Sequence, residues 1–97
     1  MYEIEFTREA VTDIREMRRR DQCGVLDAIE VRLRHQADHA ARNRKRLRPN
    51  KLAEWELRIG DYRVFYDIDA EEHVMRIVAV GLKRGNALFI RGKEYKL

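Results

Sequence analysis

Apolar residues recur at every second position in some parts of this chain and at every third or fourth in others, which predicts strands and helices in a definite order. Tyr2, Ile4 and Phe6 alternate with Glu3 and Glu5 and read as a first strand. Thr7 then offers an N-cap for a helix carrying Ala10, Val11, Ile14 and Met17 to about Arg18, with Glu9 in the first turn where the helix dipole favours an acid. Asp21 is a candidate cap for a second helix, whose stripe of Leu26, Ile29, Leu33, Ala37 and Ala40 ends near Ala41. From Arg42 to Lys51 the pattern lapses around the only proline, Pro49, and reads as a basic connection.

The clearest local signal follows. Residues 54–69 form two alternating runs about Gly60-Asp61, the mark of a β-hairpin with a two-residue turn. That turn sets Ile59 opposite Tyr62 and Arg58 opposite Arg63. Trp55, Leu57, Ile59, Tyr62, Val64 and Tyr66 share one face as core surface, leaving Glu56, Arg58, Arg63, Phe65 and Asp67 on the other. Like charges directly opposed on a sheet are destabilising, so the arginine pair points to an anion above it, with phosphate the first candidate. Arg63 pairing with Glu56 or Asp67 is the bland alternative.

After a turn at residues 70–73, Val74 to Val80 is almost continuously apolar and suits a strand covered on both faces. Gly81 is expected to end it, and Leu82 to Asn86 to form a basic turn. The tail from Ala87 onward is ambiguous. The order is β-α-α-β-β-β, an α+β fold with a helical hairpin packed on a mostly antiparallel sheet.

Composition narrows the function classes. At 97 residues the chain is expected to be one domain, residues 1–97, with one modest core. Its net charge of +4 understates the asymmetry: residues 32–51 hold eight basic residues against one acid, Asp38, and the remainder is net acidic. Such a block suits phosphate-backbone binding, or simply a solvated helix end and loop. Cys23 is the only cysteine, so no internal disulfide can form. No apolar run approaches a membrane span and the amino terminus lacks a signal pattern, so a cytoplasmic location without membrane partners is expected. His35 and His39 lie four apart on the second helix, but Gln36 breaks the His-Glu-x-x-His pattern and no third ligand is evident. No metal and no cofactor are expected.

The run from Trp55 to Arg84, with Gly60-Asp61-Tyr62-Arg63-Val64-Phe65-Tyr66 at its centre and Val78-Ala79-Val80-Gly81 before Lys83 and Arg84, resembles the RelE/ParE superfamily of type II toxin-antitoxin toxins. The β-α-α opening fits as well. The resemblance implies a toxin neutralised by a cognate antitoxin. RelE-like members cut mRNA in the ribosome without a metal by attack of the ribose 2′-hydroxyl on the adjacent phosphate, whereas ParE-like members inhibit DNA gyrase. Carried across, it implies catalytic roles for Arg58 and Arg63 as phosphate cations and for Lys83, with Arg84 a substitute one residue on. Glu56 stands where a basic residue often sits and is either a general base or a charge partner of the arginines. Phe89 stands near an expected tyrosine and cannot donate a proton, so Tyr95 replaces it only if the tail folds back. RNA docking would fall to Arg42, Arg44, Lys45, Arg46, Arg48, Lys51 and Arg84, with Phe65 stacking on a base. A ParE-like gyrase inhibitor and a catalytically silent RNA- or antitoxin-binding module are the other readings.

Overall fold

The alternating runs about Gly60 and Asp61 close into a hairpin at the centre of the computed structural model, which describes residues 1–34 and 37–96. The described elements are β1 (Glu3–Phe6), α1 (Arg8–Arg15), α2 (Arg19–Leu33), β2 (Arg44–Arg46), β3 (Trp55–Ile59), β4 (Tyr62–Asp69), β5 (Val74–Arg84), β6 (Ala87–Ile90) and β7 (Lys93–Tyr95). Strands pair in the order β2-β3-β4-β5-β6-β7, all antiparallel, and β1 adds to β5 in parallel. The α+β class, with both helices on one face of the sheet, is therefore as the apolar pattern predicts. The hairpin register is also as expected, Ile59 opposite Tyr62 and Arg58 opposite Arg63.

The main core lies between the helices and the sheet. Ile14, Val25, Ile29 and Leu33 meet Leu57, Val64, Tyr66, Met75 and Ile77 there. Tyr66 is fully buried, and its hydroxyl donates to the Ala37 carbonyl at 2.8 Å. Tyr62 makes a second tie, donating to Asp21 Oδ2 at 2.9 Å.

Several boundaries differ from the sequence reading. α1 ends at Arg15 and Arg18 takes the N-cap position of α2, so Asp21 lies within the first turn instead of capping it. The buried stripe of α2 is Val25, Ile29 and Leu33 at intervals of four; Leu26, about 100° round the helix from Val25, is 41% exposed. Ala37 is buried and Ala40 exposed. Residues 42–51 are not all loop, because β2 pairs with β3 there. β5 runs through Gly81 to Arg84, and the tail adds two strands. A Cβ at Gly81 would lie 2.9 Å from both Ile90 Cγ1 and the Phe89 carbonyl, so glycine here lets β6 close on β5 instead of ending it.

The two short neighbours of β5 leave its middle bare. β1 covers Val74 to Ile77 and β6 covers Leu82 to Arg84. Side chains from the first helix close the gap: Thr7 Oγ1 donates to the Val78 carbonyl at 3.2 Å, and the Val80 amide donates to Asp13 Oδ2 at 3.0 Å. Thr7 also caps α1, accepting from the Ala10 amide as the sequence predicts. Asp13 is buried and ion-pairs with Arg91 at 2.7 Å. One carboxylate thus ties α1, β5 and the β6–β7 turn together.

Replacing Asp13 by Ala strands the Val80 amide and unpairs Arg91; the expected loss is about 2 kcal/mol, read as a lower urea midpoint. A second expectation concerns alkaline pH. Burial foremost raises the phenols of Tyr62 and Tyr66 above the ordinary 10.0, with the hydrogen bond to Asp21 adding to the effect at Tyr62. The unfolded chain releases these protons first, so stability present below pH of about 10 is lost as pH climbs toward the folded values. Denaturation midpoints should fall above that point, and Tyr66→Phe should make the fall shallower.

Candidate functional site

The sheet face turned away from the helices carries most of the chemistry-bearing residues. Strand register orders them in rows. Lys45, Glu56, Phe65 and Ala79 stand side by side across β2, β3, β4 and β5. Arg58, Arg63 and Gly81 form the next row toward the turn. Lys83, Leu88 and Tyr95 follow across β5, β6 and β7. A groove of 660 Å³ opens on this face, lined by Lys45, Arg48, Glu56, Lys83, Leu88 and Tyr95 among others.

Phe65 does not stand free as a stacking platform. It is fully buried in a second, smaller core with Ala53, Ala79, Leu88 and Ile90, packed over by Leu47, Leu52 and Tyr95. The expectation of an exposed aromatic is corrected here: the segment after β2 and the returning tail cover this face, burying what alternation alone leaves outside. Phe65 lies beneath this cover, out of reach of a base.

Arg63 is 8% exposed, and its Nη1 donates to the Gly60 and Tyr62 carbonyls at 2.8 and 2.9 Å. Its guanidinium is thereby clamped to the turn. Arg58, opposite, is exposed. Among the described residues no carboxylate lies within ion-pair distance of Arg58, Arg63 or Lys83. Asp67 instead accepts from the Glu54 amide at 2.8 Å, and Glu56 faces Lys45, whose Nζ is 3.8 Å from Oε2. The carboxylate pairing offered for Arg63 by the bland reading is absent among those residues.

The basic block divides. Arg44 donates to the His39 and Arg32 carbonyls, each at 3.1 Å, closing the end of α2; it is a capping side chain, which corrects its expected place in a docking surface. Arg46 lies over the Trp55 ring at 5.8 Å. Lys45, between them, points into the groove, Arg48 lies at its rim, and Arg42 and Lys51 are exposed. Register also separates Lys83 from Arg84. Lys83 faces the groove opposite Leu88, while Arg84 lines a different cleft of 510 Å³ with Asp13, Tyr62 and Phe89. Phe89 therefore has no place in the groove, and Tyr95, carried back by β7, has one.

Asp13 and the particular position of Lys45 escaped the sequence reading. Arg44-Lys45-Arg46 has no apolar alternation to mark it as a strand, and nothing in the local sequence tells that Asp13 will meet an unpaired amide. Among the described residues no group of three metal-ligand side chains comes together. His35 lies outside the described residues, while His39 sits 3.6 Å from Asp38.

Against known proteins, the family model described as the ParE toxin of the type II toxin-antitoxin system parDE matches residues 4–86. A comparison with curated proteins finds no match. Among solved structures, the chain is similar to one in the toxin-antitoxin complex RelBE2 from Mycobacterium tuberculosis, with 27% identity over 84% of this chain and 98% of that one and a TM-score of 0.73. It shares its fold with chains of the archaeal RelE-RelB complex from Pyrococcus horikoshii (19% identity, 89% and 98% covered, TM-score 0.69) and of the E. coli RelBE complex (19%, 87% and 99%, 0.67).

The burial of Phe65 yields a direct check. Phe65→Ala should cost about 3 kcal/mol or more in urea denaturation, the range for a core phenylalanine. An exposed stacking residue would change stability by only about 0.5 kcal/mol.

Proposed function

Since the chain belongs to the ParE toxin family of type II toxin-antitoxin systems, we propose that it is a toxin held in check by a cognate antitoxin, acting as a ribosome-dependent mRNA endoribonuclease. The observation that supports this reading best is the groove: a carboxylate, a lysine and a phenol, Glu56, Lys83 and Tyr95, line one cavity on the same face as two arginines facing no carboxylate among the described residues. Structural carboxylates in this protein, such as Asp13, Glu54 and Asp67, accept backbone amides. The Glu56 carboxylate accepts no hydrogen bond among the described residues, so its lone pairs remain available for a proton.

In the proposed reaction the ribose 2′-oxygen bonds to the adjacent phosphorus as its proton passes to Glu56. The bond from phosphorus to the 5′-oxygen breaks, leaving a 2′,3′-cyclic phosphate. The departing oxygen takes a proton from the Tyr95 hydroxyl. Arg58, Arg63 and Lys83 stabilise the charge gathering on the phosphoryl oxygens. Arg63 is suited to this because its anchoring to the turn carbonyls is complete before substrate arrives, so little reorganisation is needed. Arg48 at the groove, with Arg42 and Lys51 exposed outside its lining, supplies the sequence-independent attraction to ribosomal RNA.

The match to a ParE family model favours a second reading, inhibition of DNA gyrase without chemistry. The two separate cleanly. Ribosomes programmed with a defined mRNA should show new 5′ ends with the wild-type protein, and Arg63→Ala and Lys83→Ala should each slow their appearance by about 10²-fold or more while antitoxin binding persists. Unchanged cleavage in both variants overturns the assigned roles. Growth arrest that persists without new ends, with supercoiling blocked, supports the gyrase reading instead.

A further inference from the structure

We infer that Lys45 is the positioning residue for Glu56, holding its carboxylate over the groove in line with the substrate 2′-hydroxyl. The inference rests on the endoribonuclease reading and adds to it a residue from a strand that the family-like motif does not include.

β2 brings the two together. Lys45 and Glu56 are direct cross-strand partners, so their side chains rise from the same face within reach of each other. Arg44 donates to carbonyls at and beyond the end of α2, and Arg46, which also borders the groove, lies over Trp55, so Lys45 is the β2 cation paired with a groove carboxylate.

The pair is lopsided in a way that suits positioning more than stability. The Glu56 side chain is 13% exposed and the Lys45 side chain 65% exposed, with 3.8 Å between Nζ and Oε2. That separation is a charge contact without a hydrogen bond. An ion pair built for stability adds a further donor to the carboxylate, as at Asp13, where a backbone amide and Arg91 share Oδ2 while Oδ1 has no partner among the described residues. Glu56 has no such second donor among the described residues. The ammonium thus orients the carboxylate by charge while leaving its lone pairs open to a proton. Lys83, on the same groove wall, is not within ion-pair distance of Glu56 and does not substitute.

With RNA in the groove, the Lys45 ammonium stays beside Glu56 and keeps the carboxylate aimed at the 2′-hydroxyl whose proton it takes. Without Lys45 the carboxylate is free to take other rotamers, and a smaller fraction of bound substrate meets it in line. The loss then appears in the rate at saturation and not in binding.

The test is single-turnover cleavage of a defined mRNA on programmed ribosomes, by wild type, Lys45→Ala, Lys45→Arg, Glu56→Gln and the Lys45→Ala/Glu56→Gln double variant, with thermal melts confirming that each folds. Lys45→Ala should lower the saturating rate about tenfold with KM little changed. Lys45→Arg should recover most of that loss. In the Glu56→Gln background, Lys45→Ala should have no further effect, because its action runs through the carboxylate. A raised KM with an unchanged saturating rate makes Lys45 a plain RNA contact and overturns the inference. Full additivity with Glu56→Gln overturns it equally. A wild-type protein that produces no new 5′ ends defeats the underlying endoribonuclease reading, a result distinct from either of these.

Discussion

The constraint on which this fold turns is the hydrogen bonding of β5. This strand of eleven residues, apolar over most of Val74 to Val80, lies inside the sheet, where an unpaired backbone amide or carbonyl costs much of a hydrogen bond. β4 satisfies one side along most of its length. On the other side β1 arrives from one end and β6 from the other, and neither reaches the middle. Thr7 and Asp13 fill that interval from the first helix, so the residues that begin and stiffen α1 also complete the sheet. The position of the helix on the sheet is thus set by polar matching as well as by apolar burial. Arg91 links the same carboxylate to the turn before β7, the strand that carries Tyr95.

That linkage joins the core to the groove. Tyr95 lines the groove only because the tail returns, and the tail returns along a β6 that needs a glycine at position 81 to lie close to β5. Gly81 is also the cross-strand partner of Arg63. The lack of a side chain there therefore serves packing on one edge while leaving the row of arginines uncrowded on the other. On the opposite face, Tyr62 and Tyr66 fasten the hairpin to the helices through Asp21 and the Ala37 carbonyl. The hairpin is held from below by phenols and carries its cations above.

Much of this was legible from residue patterns, for identifiable reasons. A two-residue turn fixes register, so the opposition of Arg58 to Arg63 and the membership of each face followed from Gly60-Asp61 alone. The α+β layering followed from periodicity. What failed had a common cause in tertiary cover. Alternation assigns Phe65 to the face away from the helices, and it is there, but only the folded chain shows that Leu47, Leu52 and Tyr95 close over it. Val25 and Leu26 are adjacent apolar residues, and the choice between them is made by the sheet beneath. Gly81 read as a terminator because glycine weakens strands, whereas here the crowding of Ile90 and the Phe89 carbonyl makes a side chain the worse choice.

The basic block shows most plainly why charge counts stop short of a site. Eight cations between Arg32 and Lys51 read as one electropositive surface, yet a strand reverses direction at every residue, and β2 sends neighbours to different tasks. Arg44 meets helix carbonyls that need a donor, Arg46 meets an indole, and Lys45 meets a carboxylate in the groove. Each neutralises or spends its charge locally before any polyanion arrives. The field left for a nucleic acid comes from the exposed remainder, Arg42, Arg48 and Lys51, together with Arg58 at the hairpin and Lys83 across the groove. A few cations without carboxylate partners on one face make a better case for phosphate than the net charge does, because their desolvation is not already offset within the protein.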